Sequence, residues 1–283
     1  MLREVSQPES WSADAFNPVP ESENRIHSDE VARAYGFRGG LVPGVVVSAY
    51  LLHPGAVAWG RDFAERGQAH VRVGSPVYDG EPFRVEVENA QASRYDARLI
   101  DDRGVGCATA QVSLPDRATD PPTRRGDRLL ARDAERPVVS RALMERLRET
   151  GLGALRARWS EQAEITCYLR DPAGIAPIYA QQGLASSSFI LALTNWVLAA
   201  NVQMSPWLHL ETDSRFFRPI EPGAGLVVEA AIADLFEKKG HEFVDVDVAV
   251  FGSDDDVARA AVRLRAIYQL RPSQAPEDIR PAR

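Results

Sequence analysis

The sequence predicts an α+β protein built twice over, each half a long central helix wrapped by an antiparallel β-sheet. Three observations predict it. A strand, turn, strand pattern recurs at an offset of 143 residues, an apolar segment precedes each copy at the same offset, and alternating strands follow both.

Taken in order, Leu41 to Leu52 (LVPGVVVSAYLL) is apolar on every side and its pattern continues to Trp59, which predicts a helix buried in a core. Residues 69–87 (AHVRVGSPVYDGEPFRVEV) then predict strand, turn and strand. Pro76 ends the first strand because proline has no N–H for a ladder, and Gly80 supplies the turn conformation. Phe83, Val85 and Val87 alternate, as do Ala108, Ala110, Val112 and Leu114. Pro115 to Pro137 is rich in Pro, Arg and Asp, has no apolar period, and predicts a linker. Ser140 to Trp159, with Leu143, Leu147, Leu152 and Leu155, predicts a connecting helix interrupted near Gly151 and Gly153.

Glu164 to Leu169 (EITCYL) predicts the strand that opens the second half. Leu184 to Asn195 (LASSSFILALTN), running on to Ala200, matches the first apolar helix. Residues 212–230 repeat the strand turn, so Arg72 falls on Arg215, Pro76 on Pro219, Gly80 on Gly223 and Glu86 on Glu229. Val244, Val246, Val248 and Val250 alternate with Asp245 and Asp247, and Val262, Leu264, Ala266 and Tyr268 continue the pattern. Glu237 to Gly240 and Gly252 to Asp255 predict hairpin turns. The domain reading is a first unit over 1–115, linker and connecting helix over 116–160, a second unit over 161–271, and a polar tail over 272–283. Two sheets facing each other around two helices are expected, with substrate sites at the seam between the halves.

Composition excludes several function classes. The chain of 283 residues is 45% hydrophobic and 26% charged, with a formal net charge of −7. An acidic chain is a poor partner for nucleic acid or an anionic membrane, both of which need a basic face. No run of about 18 apolar residues predicts a membrane span, and MLREVSQPESWS has no apolar signal core. The expected location is the cytoplasm. Cys107 and Cys167 form no CxxC, and Asp254-Asp255-Asp256 lacks the length of a calcium loop, so no metal and no disulfide framework are expected. No cofactor is expected either.

The stretch Asn24 to Gly44 (NRIHSDEVARAYGFRGGLVPG) is the most telling. It resembles the MaoC-like, or (R)-specific enoyl-CoA hydratase, family of hot-dog proteins. That family's motif runs roughly Gly-Asp-x-Asn-Pro-Ile-His, then a Gly-Phe, then a His-Gly that opens the central helix. The two halves together resemble a tandem, or double, hot-dog fold. By this resemblance His27 stands at the catalytic His, Asn24 at the Asn, and Gly36-Phe37 at the Gly-Phe. Gly44 stands at the helix-opening Gly, while Pro43 replaces the His before it and Arg25 the motif's Pro. Ser22 occupies the catalytic Asp position, with Glu21, Glu23 and Asp29 as the nearby carboxylates. The resemblance implies a catalytic set of His27, Asn24 and Ser22, and a substrate-binding set of Gly44, Val45, Gly40 and Phe37. In such a site a base activates water, an acid protonates the α carbon, and backbone N–H groups at the helix start stabilise the thioester oxygen.

The implied function is an acyl-thioester (enoyl-CoA) hydratase or dehydratase of fatty-acid type, acting on an acyl-CoA or acyl-carrier thioester. A hot-dog acyl-CoA thioesterase and a non-catalytic acyl-CoA or acyl-chain binder stay open, as does pairing into a homodimer. Plainer roles are also open for single residues. The alternative for His27, behind the site role, is a helix-entry residue before a Ser28 or Asp29 cap. Ser186-Ser187-Ser188 reads as a helix cap, His209 as a packed core histidine beside Trp207, and His53, His70 and His241 as surface residues. Arg72 and Arg215 read as a solvated strand face, with coenzyme A phosphates as the alternative.

Overall fold

A computed structural model of the chain describes residues 7–117, 119–160 and 167–271. The first half holds β1 (Trp11–Asp14), a 3-10 turn (Arg25–His27), α1 (Asp29–Ala34), α2 (Gly44–Trp59), α3 (Arg61–Arg66), β2 (Gln68–Val73), β3 (Pro82–Gln91), β4 (Arg94–Asp101) and β5 (Gly106–Ser113). The rest holds α4 (Arg141–Thr150), β6 (Leu155–Arg158), α5 (Pro177–Ala180), α6 (Ser187–Asn201), β7 (Leu208–Phe216), β8 (Gly225–Lys238), β9 (His241–Gly252) and β10 (Ala258–Gln269).

The strands form one sheet in the order β1-β3-β4-β5-β2-β7-β10-β9-β8-β6. Read inward from either end, the order passes equivalent strands and meets at an antiparallel β2–β7 pair, with Gln68 opposite Arg215 and Arg72 opposite Glu211. The expected pair of facing sheets is therefore corrected to one continuous sheet. The reason is that β2 and β7 each end a meander with unpaired N–H and C=O groups, and each satisfies the other. The offset of the repeat is kept where it matters: α2 starts at residue 44 and α6 at 187, β3 at 82 and β8 at 225. It drifts afterwards because β8 and β9 are 14 and 12 residues long against 10 and 8 for β3 and β4.

The two apolar helices pack on each other and on this sheet. Tyr50, Leu51 and Leu52 of α2 share one core with Leu191, Leu193 and Leu198 of α6. That explains why both helices are apolar over most of their circumference: most of each is buried in the shared core. Pro54 sits inside α2 and gives up one helical hydrogen bond. The freed Tyr50 carbonyl accepts from the Trp11 indole N–H of β1 at 3.1 Å. Tyr95 of β4 patches the next step, its hydroxyl donating to the Leu51 carbonyl at 2.9 Å and accepting from Gly55 N–H at 3.1 Å.

Other expectations are adjusted. The connecting helix stops at Thr150, because Gly151 adopts a left-handed φ of 87° and Leu155–Arg158 pairs with β8 as a strand. At its start the Ser140 Oγ accepts from Leu143 N–H at 3.2 Å. Of the predicted strand at 164–169, residues 164–166 lie outside the described residues, and Cys167–Leu169 is not strand. The tail from Pro272 also lies outside them. The hairpin at Lys239-Gly240 is present, both residues having positive φ as a tight turn requires. The linker is irregular and is pinned by the fully buried Glu229, which accepts from the N–H groups of Arg125, Gly126 and Asp127 at 2.7, 2.8 and 3.0 Å. His53 is not a surface residue: its ring stacks on Trp11, and Nδ1 lies 2.8 Å from the Tyr168 hydroxyl. No helix among the described residues is long and apolar enough to cross a membrane.

Candidate active site at the seam of the two halves

The site is built where the loop before α2 meets the start of β7. Asn24 comes from the first half and Trp207 from the second, and their bonds tie the halves together. Trp207 N–H donates to Asn24 Oδ1 at 3.1 Å, and Asn24 Nδ2 donates to the Trp207 carbonyl at 3.0 Å. The remaining Asn24 N–H points at His27 Nε2, 3.3 Å away. On the other side of the ring, His27 Nδ1–H donates to the Leu41 carbonyl at 2.7 Å. That short bond fixes the tautomer, leaving the lone pair on Nε2. Burial pulls the His27 pKa down to about 4, against a smaller opposing effect of the Leu41 bond, so the ring is neutral at pH 7.

Two cavities meet at this ring and share Asn24, His27, Pro43, Asn195 and Trp207 in their walls. The inner chamber, about 130 Å³, is lined mainly by apolar groups that include Phe37, Leu41, Val47, Val73 and Leu210. The outer chamber, about 400 Å³, is walled by Val19, Ser22, Val202 and Met204, with Glu23 and Arg136 among its polar groups. At Gly44, beside the inner chamber, α2 begins on Pro43 with no side-chain cap. Val46 and Val47 N–H both bond the Pro43 carbonyl, and among the described residues Gly44 and Val45 N–H have no partner. The equivalent helix start in the second half is closed: Ser186 Oγ accepts from Phe189 N–H at 3.3 Å, and Ser187 Oγ is 2.8 Å from the Tyr179 hydroxyl. The serines are thus a cap, as the sequence suggests.

The predicted residues part company here. His27, Asn24, Phe37 and Gly44 come together at the inner chamber. Ser22 lines the outer chamber, and its hydroxyl bonds the Asn24 carbonyl at 3.3 Å rather than the imidazole. Gly40 lies under the site instead of facing it, since a Cβ there would stand 2.2 Å from the His27 carbonyl, and its N–H donates to Asp29 Oδ1 at 2.9 Å. The Val45 side chain belongs to the core, so only its N–H is available. None of the nearby carboxylates reaches the ring: Glu23 pairs with Arg136 at 2.7 Å, Asp29 with Arg33 at 2.8 Å, and Glu21 lies 4.0 Å from Arg25. Among the described residues no group of three His, Cys, Asp or Glu side chains could hold a metal. Arg72 takes Glu211 at 3.1 Å on the exposed strand face.

Sequence reading missed His209 and Asn195 as site residues. Both stand in the inner wall, and His209 is only 8% exposed. The available signal was weak: a lone histidine beside a tryptophan on a strand.

No family model matches the chain, and no curated protein resembles it in sequence. Solved structures do resemble it. A double hot-dog protein from Mycobacterium tuberculosis shares 13% identity over 92% of this chain and 96% of its own, with a TM-score of 0.55. A structure assigned to a MaoC-domain dehydratase from Chloroflexus aurantiacus shares 10% over 93% and 96%, with a TM-score of 0.53. A hot-dog protein from Alicyclobacillus acidocaldarius shares 15% over 94% of both chains, with a TM-score of 0.50. The fold is a hot-dog fold. Its structural neighbours include MaoC-like dehydratases, double hot-dog proteins and thioesterases.

Proposed function

We propose that the chain is a tandem hot-dog protein acting on acyl thioesters by adding water to, or removing it from, the acyl chain, as the MaoC-like resemblance implies. The observation that carries this reading is a neutral imidazole of fixed tautomer, His27, at the waist of a cleft beside an uncapped helix start. In the hydration direction His27 Nε2 accepts a proton from water as the water oxygen bonds to Cβ of the enoyl group. The 3.3 Å contact from Asn24 is long for a hydrogen bond, so a better donor displaces it easily. Charge moves to the thioester oxygen, where Gly44 and Val45 N–H stabilise it. The imidazolium then returns its proton to Cα, and the ring is neutral again. One group thus takes and gives the same proton, and the chemistry uses only the chain's own groups and water.

The test is crotonyl-CoA hydration by the full chain. His27→Ala should lower the rate by about 10²–10⁴-fold, and an unchanged rate refutes the mechanism. A second reading, a non-catalytic acyl-thioester binder, is favoured by one observation: no carboxylate among the described residues hydrogen-bonds His27. It predicts acyl-CoA binding with neither hydration nor release of free thiol. Thiol release would instead mark a thioesterase.

A further inference from the structure

A groove of about 1270 Å³ lies between the linker and β6, and no step of the mechanism uses it. The linker is fixed alongside that strand: Leu130 N–H donates to the Ala154 carbonyl and Ala154 N–H to the Arg128 carbonyl, both at 2.9 Å. Arg124, Arg132, Arg136, Arg156 and Arg158 line the groove against three carboxylates, on a chain whose formal net charge is −7. Positive charge gathered in one hollow of an acidic protein repels itself and draws in anions.

Three of the five arginines are engaged. Arg124 pairs with Asp256, Arg136 with Glu23 at 2.7 Å, and Arg158 donates to the Gly223 carbonyl at 2.8 Å. Arg132 and Arg156 have no hydrogen-bond or ion-pair partner among the described residues. Arg156 and Arg158 stand two apart on the exposed face of β6, about 6.6 Å along the strand, and so present two guanidinium forks side by side. Such forks meet phosphate oxygens in pairs, which is why arginine serves phosphate recognition.

The groove is continuous with the acyl site. Glu23 and Arg136 stand in its wall and also in that of the outer chamber, which in turn shares His27 and Pro43 with the inner one. A thioester with its acyl group in the inner chamber therefore leads its carrier through the outer chamber to the arginines. A hollow suits a small molecule, whose binding clefts run to about 1,000 Å³, whereas a protein partner needs a broad face of about 800 Å².

We propose that this groove is a phosphate-binding site, and that it takes the phosphorylated nucleotide end of a free carrier thiol rather than a carrier protein. This rests on the acyl-thioester reading above. Arg132 and Arg156 hold the phosphates, and a carrier arm without phosphates gains nothing from them.

The experiment is calorimetric binding to the full chain of butyryl-CoA and butyryl-pantetheine, saturated esters that differ only in the phosphorylated nucleotide, and of 3′,5′-ADP as the nucleotide alone. Butyryl-CoA should bind about tenfold tighter than butyryl-pantetheine, and the gap should narrow as salt is raised. Joint replacement of Arg132→Ala and Arg156→Ala should erase the gap; both residues are exposed, so the core is spared. Equal affinity for the two esters overturns the proposal, as does a gap that survives the double replacement. If neither ester binds, the acyl-thioester reading falls, and 3′,5′-ADP alone decides the groove: binding that the double replacement abolishes upholds it, and no binding overturns it. The two-ester comparison on the unaltered chain decides the matter even where a variant does not fold.

Discussion

Acidifying the chain from pH 7 to pH 5 should remove a large part of its stability. Three imidazoles are responsible, with pKa values lowered by burial to about 4 for His27, about 4 for His53 and about 3 for His209. On unfolding each returns to about 6.5. The folded pKa lies below the unfolded one, so the unfolded chain binds more protons between the two. The stabilisation from keeping these rings neutral is therefore full above about pH 6.5 and is lost as the pH falls towards the folded values. At pH 5 each ring has lost about 2 kcal/mol and the three together about 6, against the roughly 5–15 kcal/mol typical of a folded domain. Carboxylates held low by arginines, such as Glu23 and Asp255, stay ionised through this window and do not blur it. Urea unfolding followed by tryptophan fluorescence at pH 7.5, 6 and 5 measures the effect. His209→Gln should flatten the slope by about a third, one ring of three. A midpoint that does not move between pH 7.5 and 5 would refute the burial of these rings as described.

Two further outcomes follow from packing. Gly44→Ala places a Cβ 2.8 Å from the His209 carbonyl oxygen. It should cost about 1–3 kcal/mol, and thermal unfolding at wild-type temperature would show that the contact is loose. Glu229→Leu removes the acceptor of three linker N–H groups. Amide exchange should quicken at residues 125–127, with a stability loss of about 1–3 kcal/mol, whereas unchanged exchange there would mean the linker is held by something else.

The repeat was legible because its signals are local. Pro76 and Pro219, Gly80 and Gly223 stand 143 residues apart, and both glycines take a positive φ, 75° and 77°, in the turns they make. The edge strand β1 was not legible, since four residues, WSAD, carry too little alternation to stand out. β4 was passed over although Tyr95, Ala97 and Leu99 point inward, because the charged residues between them resemble a loop. The joining of β2 to β7 could not be read at all, since pairing across 140 residues leaves no local pattern. At the site, the motif located His27, Asn24 and Gly44 in the chain, and the fold brings them to one chamber. Gly40, also expected on the substrate side, stands where a Cβ would meet the His27 carbonyl oxygen at 2.2 Å. His209 reads in sequence as a packed core histidine, and its place in the chamber wall depends on neighbours from both halves rather than on any local pattern.

The β2–β7 ladder runs over Gln68 to Arg72 against Arg215 to Glu211, in the middle of the sheet. The outer rims are blunted by β1 and β6, each only four residues long. A gene severed in the linker would therefore not yield two tidy small proteins. Each fragment would carry a long raw margin that had been interior, and would seek a second copy of itself, or any other strand, to finish it.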